Sequence, residues 1–349
     1  MKKNYVGIWG QYGNGGPIAD GQAVRTTIIT RELQDRYGKE NIKILNTEGW
    51  QKNPISFLWK SVSLYLKSEK IIIAPADNGF KVVVKLYDFM NKVFKRELYD
   101  IVIGGYLPAL IEKKPSYINK LKKYKGLFVQ TENLKKEIEQ FGLNNVYILS
   151  NLKRLNKTKK NELKLNKNDV IEVCTMSRVV EDKGIEDAIE AVRLMNNHFG
   201  RNVAKLCIYG IPGDDYKEKF ESLLDKYQDI VTYGGVLKYD KTSDTLKKYF
   251  AMLFPTYYYG EGFPGNIIDA YNAGIPIIAT DWNYNSEIIK DGRNGILVPI
   301  KDPESLCKAL EKLYTNRELA LQYSLNNIED ASLYSPEMVL KEFYSVLEA

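Results

Sequence analysis

Twelve short apolar runs, separated by segments of helical periodicity, constrain this chain more than any other feature. In the first half they read YVGIW, IKIL, KIIIA, YDIVIGG, GLFVQ and VYIL, with helical stretches such as 20–37, 55–68 and 132–142 between them. After a lysine- and asparagine-rich stretch the series restarts as VIEVCTM, KLCIYG, DIVTYGG, AMLFP, PIIAT and ILVP, with helices near 184–199, 215–227, 265–273 and 303–314. Strands that alternate with helices form parallel sheets covered on both faces, so the pattern predicts two doubly wound α/β domains. Ligands of such sheets bind outside the carboxyl ends of the strands, and two such domains facing each other enclose a cleft. A chain of 349 residues suits two domains of about 150 to 180 residues each.

Several function classes drop out early. No segment approaches the roughly 18 to 20 unbroken apolar residues that span a bilayer. The start, MKKNYVGIWGQYGNGG, turns glycine-rich and polar where a signal peptide would be apolar, so a cytoplasmic protein is expected. Cys174, Cys207 and Cys307 are odd in number, far apart and set in apolar segments, which reads as buried free thiols. The one histidine, His198, excludes a zinc site built on several histidines, and its setting, LMNNHFG, reads as a helix end. No Asp-x-Asp triplet occurs to hold a metal-bound nucleotide diphosphate, so no metal is expected.

Charge is uneven. Residues 1–160 hold 29 Lys and Arg against 14 Asp and Glu, whereas residues 161–349 hold 21 against 30. The first half is therefore expected to meet something anionic. The run 151–169 reads as a solvated linker. In KKPSYINKLKKYKG, 113–126, Tyr117, Ile118, Leu121 and Tyr124 form an apolar side opposite lysines, which suits both an ordinary amphipathic helix and a face for anionic lipid.

Three loops at strand ends carry groups that grip ligands. WGQYGNGGPIADG opens a helix near Asp20 behind Gly13, Gly15 and Gly16; its glycines admit a phosphate to the backbone, although the spacing matches neither G-x-G-x-x-G nor a P-loop, and a plain surface loop reads the same. In SRVVEDKG, Arg178 and Lys183 flank a turn before a helix, which suits a diphosphate or simply two surface bases near Glu181 and Asp182. In YYYGEGFPGNIIDAYNAG, Glu261 lies between glycines, the amides of Gly265, Asn266 and Ile267 would be open donors at a helix start, and Asp269 lies about one turn inside that helix.

In combination, SRVVEDKGIEDAIEA, LCIYGIPG, VTYGGVL, EGFPGNIIDAYNAGIPIIATD and SEIIKDGRNGILV resemble, in order and spacing, the retaining glycosyltransferases of family 4, with the GT-B fold. The likeness covers nearly the whole chain and is densest over 170–315; DWNYNSEII and NNVYILSN look most like enzymes of bacterial capsule and exopolysaccharide assembly. It implies two Rossmann-like domains facing across a cleft: an acceptor-binding domain over 1–155, a basic linker over 156–169, a donor-binding domain over 170–335, and a C-terminal helix, 336–349, packing back on the first. It further implies that Arg178 and Lys183 contact the diphosphate of a uridine-linked nucleotide sugar, that Glu261 contacts the transferred sugar, and that Asp269 contacts the ribose. Gly265 and Asn266 would meet the phosphates, with Gly15 and Gly16 closing over them. The implied reaction is a metal-independent, retaining hexosyl transfer to a saccharide acceptor, carried on a polyprenyl diphosphate at the inner face of the membrane.

Two features depart from the family's pattern. The second acid is Asp269 instead of glutamate, one methylene shorter. Many relatives place a histidine in the first domain near the donor sugar, and here the matching strand end offers Gly104, Gly105 and Tyr106, with Asp77 and Asn78 at a neighbouring strand end. An inactive relative that binds a sugar nucleotide or a membrane surface is the alternative this leaves open. A nicotinamide enzyme lacks its G-x-G-x-x-G fingerprint here, and a nucleic-acid-binding role would leave the paired acids without purpose.

Overall fold

A computed structural model describes residues 4–12, 21–154, 157–164 and 166–349. The chain divides into two compact units, Met1–Arg154 with Pro336–Ala349, and Leu155–Ser335. Gly15 and Gly16 lie outside the described residues.

The first unit runs β1 (Asn4–Gly10), α1 (Gly21–Tyr37), β2 (Ile42–Asn46), α2 (Pro54–Lys67), β3 (Ser68–Ala74), α3 (Asp77–Met90), β4 (Glu97–Ile101), α4 (Leu107–Lys113), α5 (Ile118–Leu121), β5 (Gly126–Val129), α6 (Glu132–Glu139) and β6 (Val146–Ile148). Its six strands are all parallel, in the order β2-β1-β3-β4-β5-β6. Ile71, Ile72 and Ile73 are consecutive and all fully buried, as a strand covered on both faces requires. Helix starts follow local chemistry: the Asn53 side chain accepts from the Ser56 amide ahead of Pro54, and the Thr131 hydroxyl accepts from the Leu134 amide.

The second unit runs β7 (Ile171–Met176), α7 (Ile185–His198), β8 (Ala204–Tyr209), α8 (Lys217–Lys226), β9 (Val231–Gly235), α9 (Thr242–Leu246), β10 (Ala251–Phe254), α10 (Gly265–Ala273), β11 (Ile277–Thr280), α11 (Asn285–Ile288), β12 (Gly295–Val298), α12 (Pro303–Thr315) and α13 (Arg317–Asp330). The sheet is parallel, in the order β12-β11-β10-β7-β8-β9. The last helix, α14 (Pro336–Glu348), belongs to the first unit, where Phe343 meets Phe128 at 4.8 Å between ring centroids and Glu348 pairs with Arg36 at 2.7 Å.

Two basic segments differ from simple expectation. Of the expected spacer at 156–169, Thr158 is buried and bonds α10 through its amide (2.9 Å to the Asn272 carbonyl) and its hydroxyl (3.0 Å to that of Ala273), so at this residue the chain is held against the second unit. In 113–126, Tyr117, Leu121 and Tyr124 are buried in the first core, and Lys120 and Lys123 reach Asp88 at 3.6 and 2.5 Å. Its apolar side is therefore a packing face. Cys174 and Cys307 are buried, Cys207 is half-buried, and none is in a disulfide. No helix among the described residues is long and apolar enough to cross a membrane.

Asp100 on β4 is fully buried, neither of its oxygens has a hydrogen-bond partner, and burial holds its carboxyl well above the usual range. Its folded value thus exceeds its unfolded one, so the stabilisation is complete in acid, below the unfolded value, and declines as pH rises toward the folded value. Asp100→Asn, neutral throughout, should lose less stability than the wild type between about pH 5 and about pH 8 in denaturant titrations. Equal losses would show that the carboxyl does not titrate abnormally.

Candidate donor-binding site

The second sheet changes direction of winding between β7 and β10, and in open α/β sheets this is where ligands settle. The loop leaving β7 is held rigidly. The Ser177 amide donates to the Tyr209 carbonyl at 3.1 Å, the Val179 amide to that of Ile211 at 2.9 Å, and the Gly213 amide to that of Val179 at 2.9 Å. Gly210 (φ 138°) permits this approach, since a Cβ there would lie 1.6 Å from the Ser177 carbonyl oxygen. Arg178 projects from this clamped backbone into solvent. A single 3₁₀ turn, Glu181–Lys183, then ends at Gly184, whose φ of 70° starts α7.

The loop leaving β10 closes on the first. A Cβ on Gly184 would lie 2.1 Å from the Pro255 carbonyl oxygen, and the Tyr257 amide donates to the Asp182 carbonyl at 2.9 Å. Lys183 consequently meets Glu261 in an ion pair whose side chains are only 8% and 12% exposed. The same Glu261 oxygen accepts from the Thr256 hydroxyl at 3.0 Å. The Tyr258 ring lies against both cations, 4.5 Å from Lys183 Nζ and 5.4 Å from Arg178 Cζ. A third loop, after β11, secures this arrangement: Trp282 Nε1 donates to the Tyr258 carbonyl at 2.9 Å, and Asn283, itself left-handed (φ 48°), donates to those of Tyr259 and Glu261 at 3.0 and 3.3 Å.

Helix α10 starts at this point, with Pro264 before it and no side chain capping it. The Ile267 amide bends back to the Pro264 carbonyl at 3.3 Å, so Gly265 and Asn266 supply the open donors of the first turn and Ile267 does not. Asn266 Nδ2 donates to the Met176 carbonyl, while its Oδ1 is buried without a partner. Asp269 is 1% exposed, with Oδ1 accepting from the Ser243 hydroxyl at 2.9 Å. Burial, then the carboxylates of Glu181 and Asp187, pushes the Tyr257 phenol up to about 12, so it is neutral at physiological pH.

Arg178, Lys183 and Glu261 are thus brought together around Tyr258, with Gly265 and Asn266 opening the next helix and Asp269 set deeper. Thr256, Ser243, Asn283 and Trp282 were not among the sequence candidates; DWN, directly after β11, is the signal that could have found the last pair. In the first unit, where winding reverses between β1 and β3, Asn78 lines a cavity of about 370 Å³ together with Trp9, Gln22, Glu48 and Trp50. Tyr106 does not line it; its hydroxyl is 3.5 Å from the Pro75 carbonyl and its ring packs on Phe80. Asp77 is the first residue of α3. The group among the described residues whose donor atoms lie close enough together to hold a metal, His198 at the end of α7 with Cys307 and Glu311 of α12, is about 20 Å along α7 from the cations.

The fold is that of the GT-B glycosyltransferases. The chain belongs to the family described as Glycosyl transferases group 1, which matches residues 155–330. An uncharacterized glycosyltransferase of Methanocaldococcus jannaschii is 24% identical over 293 residues, 82% of this chain and 69% of that protein. The capsular polysaccharide biosynthesis glycosyltransferase CapM of Staphylococcus aureus is 25% identical over 155 residues, 44% of this chain and 39% of CapM. An exopolysaccharide phosphotransferase of Streptomyces coelicolor is 33% identical over 85 residues, 24% of this chain, and the match spans only 9% of that much longer protein. Among solved structures, sucrose-phosphate synthase of Thermosynechococcus elongatus superposes with a TM-score of 0.77 at 12% identity, covering 99% of this chain and 98% of that one. HepE of Anabaena in complex with UDP-glucose gives 0.73 at 12% identity, covering 99% of each.

Gly184→Ala tests how tightly the two loops are joined. The left-handed position alone costs an alanine about 1–2 kcal/mol, and the clash with Pro255 adds to it. A melting temperature several degrees lower is expected, and an unchanged one would mean that the loops yield freely.

Proposed function

We propose that this chain moves a hexosyl group from a uridine-linked nucleotide sugar to a saccharide acceptor with retention of configuration and without a metal, in assembly of a bacterial surface polysaccharide. The observation that carries the reading is the convergence of Arg178, Lys183 and Glu261, from two loops, at the point where the second sheet reverses. Two cations at a helix start suit a diphosphate leaving group, whose charge is spread over several oxygens. A buried carboxylate beside them suits the hydroxyls of the sugar being transferred.

On this reading the Lys183–Glu261 pair opens when donor arrives: Lys183 turns to the phosphates and Glu261 accepts from sugar hydroxyls. The bond from the anomeric carbon to the phosphate oxygen breaks, and a bond to the acceptor hydroxyl forms on the same face. The acceptor's proton passes to the departing phosphate, so no protein nucleophile or base is needed. Asp269, whose Oδ1 accepts from the Ser243 hydroxyl, is assigned to the ribose. Gly265 and Asn266 offer amides to the phosphates. The acceptor is carried on a polyprenyl diphosphate, and the basic first half holds the chain peripherally at the inner face of the membrane.

Thermal-shift titration with nucleotide sugars in chelator, on the wild type, Arg178→Ala and Glu261→Ala, tests the site. A shift with one nucleotide sugar is expected, lost in Arg178→Ala and reduced toward that of the bare nucleotide in Glu261→Ala. Transfer should fall by about 10²–10³ in Arg178→Ala, the effect of removing one well-placed charge-stabilising donor. A shift with no nucleotide sugar would favour an inactive relative that binds a membrane surface.

A further inference from the structure

Helix α2, PISFLWKSVSLYLK, carries more apolar surface than its core can take. Ser61, Leu64 and Tyr65 turn inward, while Ile55 (73% exposed), Leu58, Trp59 (71%) and Leu66 stand in solvent at three-, four- and seven-residue spacings, hence along one side. On α3 and the turn after it, Val82, Phe89 (69%) and Val93 (71%) do the same at spacings of seven and four. The helices are neighbours: the Tyr65 and Tyr87 rings are 4.9 Å apart, and the Tyr87 hydroxyl donates to the Ser61 carbonyl at 3.2 Å. Both belong to crossovers between parallel strands, which are right-handed in nearly all proteins, so they descend side by side on one face of the sheet. Counting roughly 100° per residue from each buried side, each exposed stripe falls on the flank nearer the other helix, and the two form one apolar surface.

Lysines surround it. Lys52, Lys60, Lys67, Lys85, Lys92 and Lys95 are all exposed, and residues 52–96 hold nine Lys and Arg against three Asp and Glu. One of those acids, Asp88, is already engaged by Lys120 and Lys123. Soluble proteins seldom expose several large apolar side chains together unless something covers them. A second copy of the chain would set these lysines against the same lysines. An anionic bilayer instead offers hydrocarbon to the tryptophan and phenylalanine and phosphate to the ammonium groups.

We propose that the α2–α3 face docks the chain on an anionic lipid bilayer, with Ile55, Trp59, Phe89 and Val93 entering the boundary between headgroups and acyl chains. The proposal rests on the peripheral attachment inferred above and names the surface responsible. Because apolar insertion adds to charge attraction, part of the binding should survive salt that abolishes purely electrostatic attachment.

The test is sedimentation of the whole chain with vesicles of phosphatidylcholine alone and of phosphatidylcholine with phosphatidylglycerol, at low and high salt. Wild type should bind the anionic vesicles and retain part of that binding at high salt, with Trp59 fluorescence shifting to the blue; Trp59→Phe should lose that shift. Trp59→Glu with Phe89→Glu should weaken binding about tenfold or more, while the nucleotide-dependent thermal shift stays as in the wild type. If that variant binds vesicles as the wild type does, and Lys113→Gln with Lys114→Gln and Lys122→Gln does not bind, the 113–126 segment is the surface; the present assignment falls but peripheral attachment stands. No binding to any vesicle overturns both. Self-association that Trp59→Glu with Phe89→Glu abolishes, without vesicle binding, would make the face a contact between copies.

Discussion

The Lys183–Glu261 ion pair is the interaction around which the second unit's candidate site is organised. Both side chains are nearly buried, and removing one partner of such a pair typically costs about 3–5 kcal/mol, because the other charge is left without compensation. Their burial is possible only because Gly184 lets α7 begin within contact of the Pro255 carbonyl. A side chain at that glycine would push the β7 and β10 loops apart and expose the pair. The Thr256 hydroxyl and the Tyr258 ring supply the polar and quadrupolar contacts that a buried pair needs. The pair also holds the Lys183 ammonium in place beside the Tyr258 ring before any ligand is present. On the proposed reading, a diphosphate that replaces Glu261 as the partner of Lys183 exchanges one charge-assisted contact for another.

The strands were legible because a sheet covered on both faces demands unbroken apolar runs; all twelve runs read from the sequence are strands of the two sheets. The longer helices followed from periodicity and caps, as at 303–314, where Asp302 caps a helix that runs Pro303–Thr315. At the site, Arg178, Lys183, Glu261 and Asp269 were legible because each lies beside a strand end or a helix start. What supports them was not. Ser243 reaches Asp269 across 26 residues and Asn283 reaches the Glu261 carbonyl across 22, and no local pattern announces a hydrogen bond made by tertiary packing. The tightening of the first turn of α10, which takes the Ile267 amide to the Pro264 carbonyl, was not legible either.

The two apolar patterns in the first half show how the same periodicity serves different ends. In 113–126 the spacing correctly marked an amphipathic segment, but an apolar side of three or four residues is the amount that one core contact absorbs, and Tyr117, Leu121 and Tyr124 are absorbed. In α2 nearly the whole circumference apart from Lys60 and Lys67 is apolar or small, so burying one side still leaves Ile55, Leu58, Trp59 and Leu66 outside. The quantity that distinguishes them is apolar area beyond what a single helix face can bury, and it is read from the width of the stripe more than from its period.

The first unit buries a cation at the carboxyl edge of its sheet. Arg25 on α1 is 2% exposed, donates to the Val102 carbonyl at 3.2 Å and to the Leu149 carbonyl, and has its pKa lowered to about 9 by burial. No carboxylate is among the partners that offset this charge, so the carbonyl dipoles at the ends of β4 and β6 carry that task. A cation held behind the carboxyl edge of a parallel sheet adds positive potential to the side on which such sheets take their ligands. With its pKa lowered to about 9, the guanidinium is still mostly charged near neutral pH. Nothing in the sequence around Arg25, within a helix, pointed to this burial.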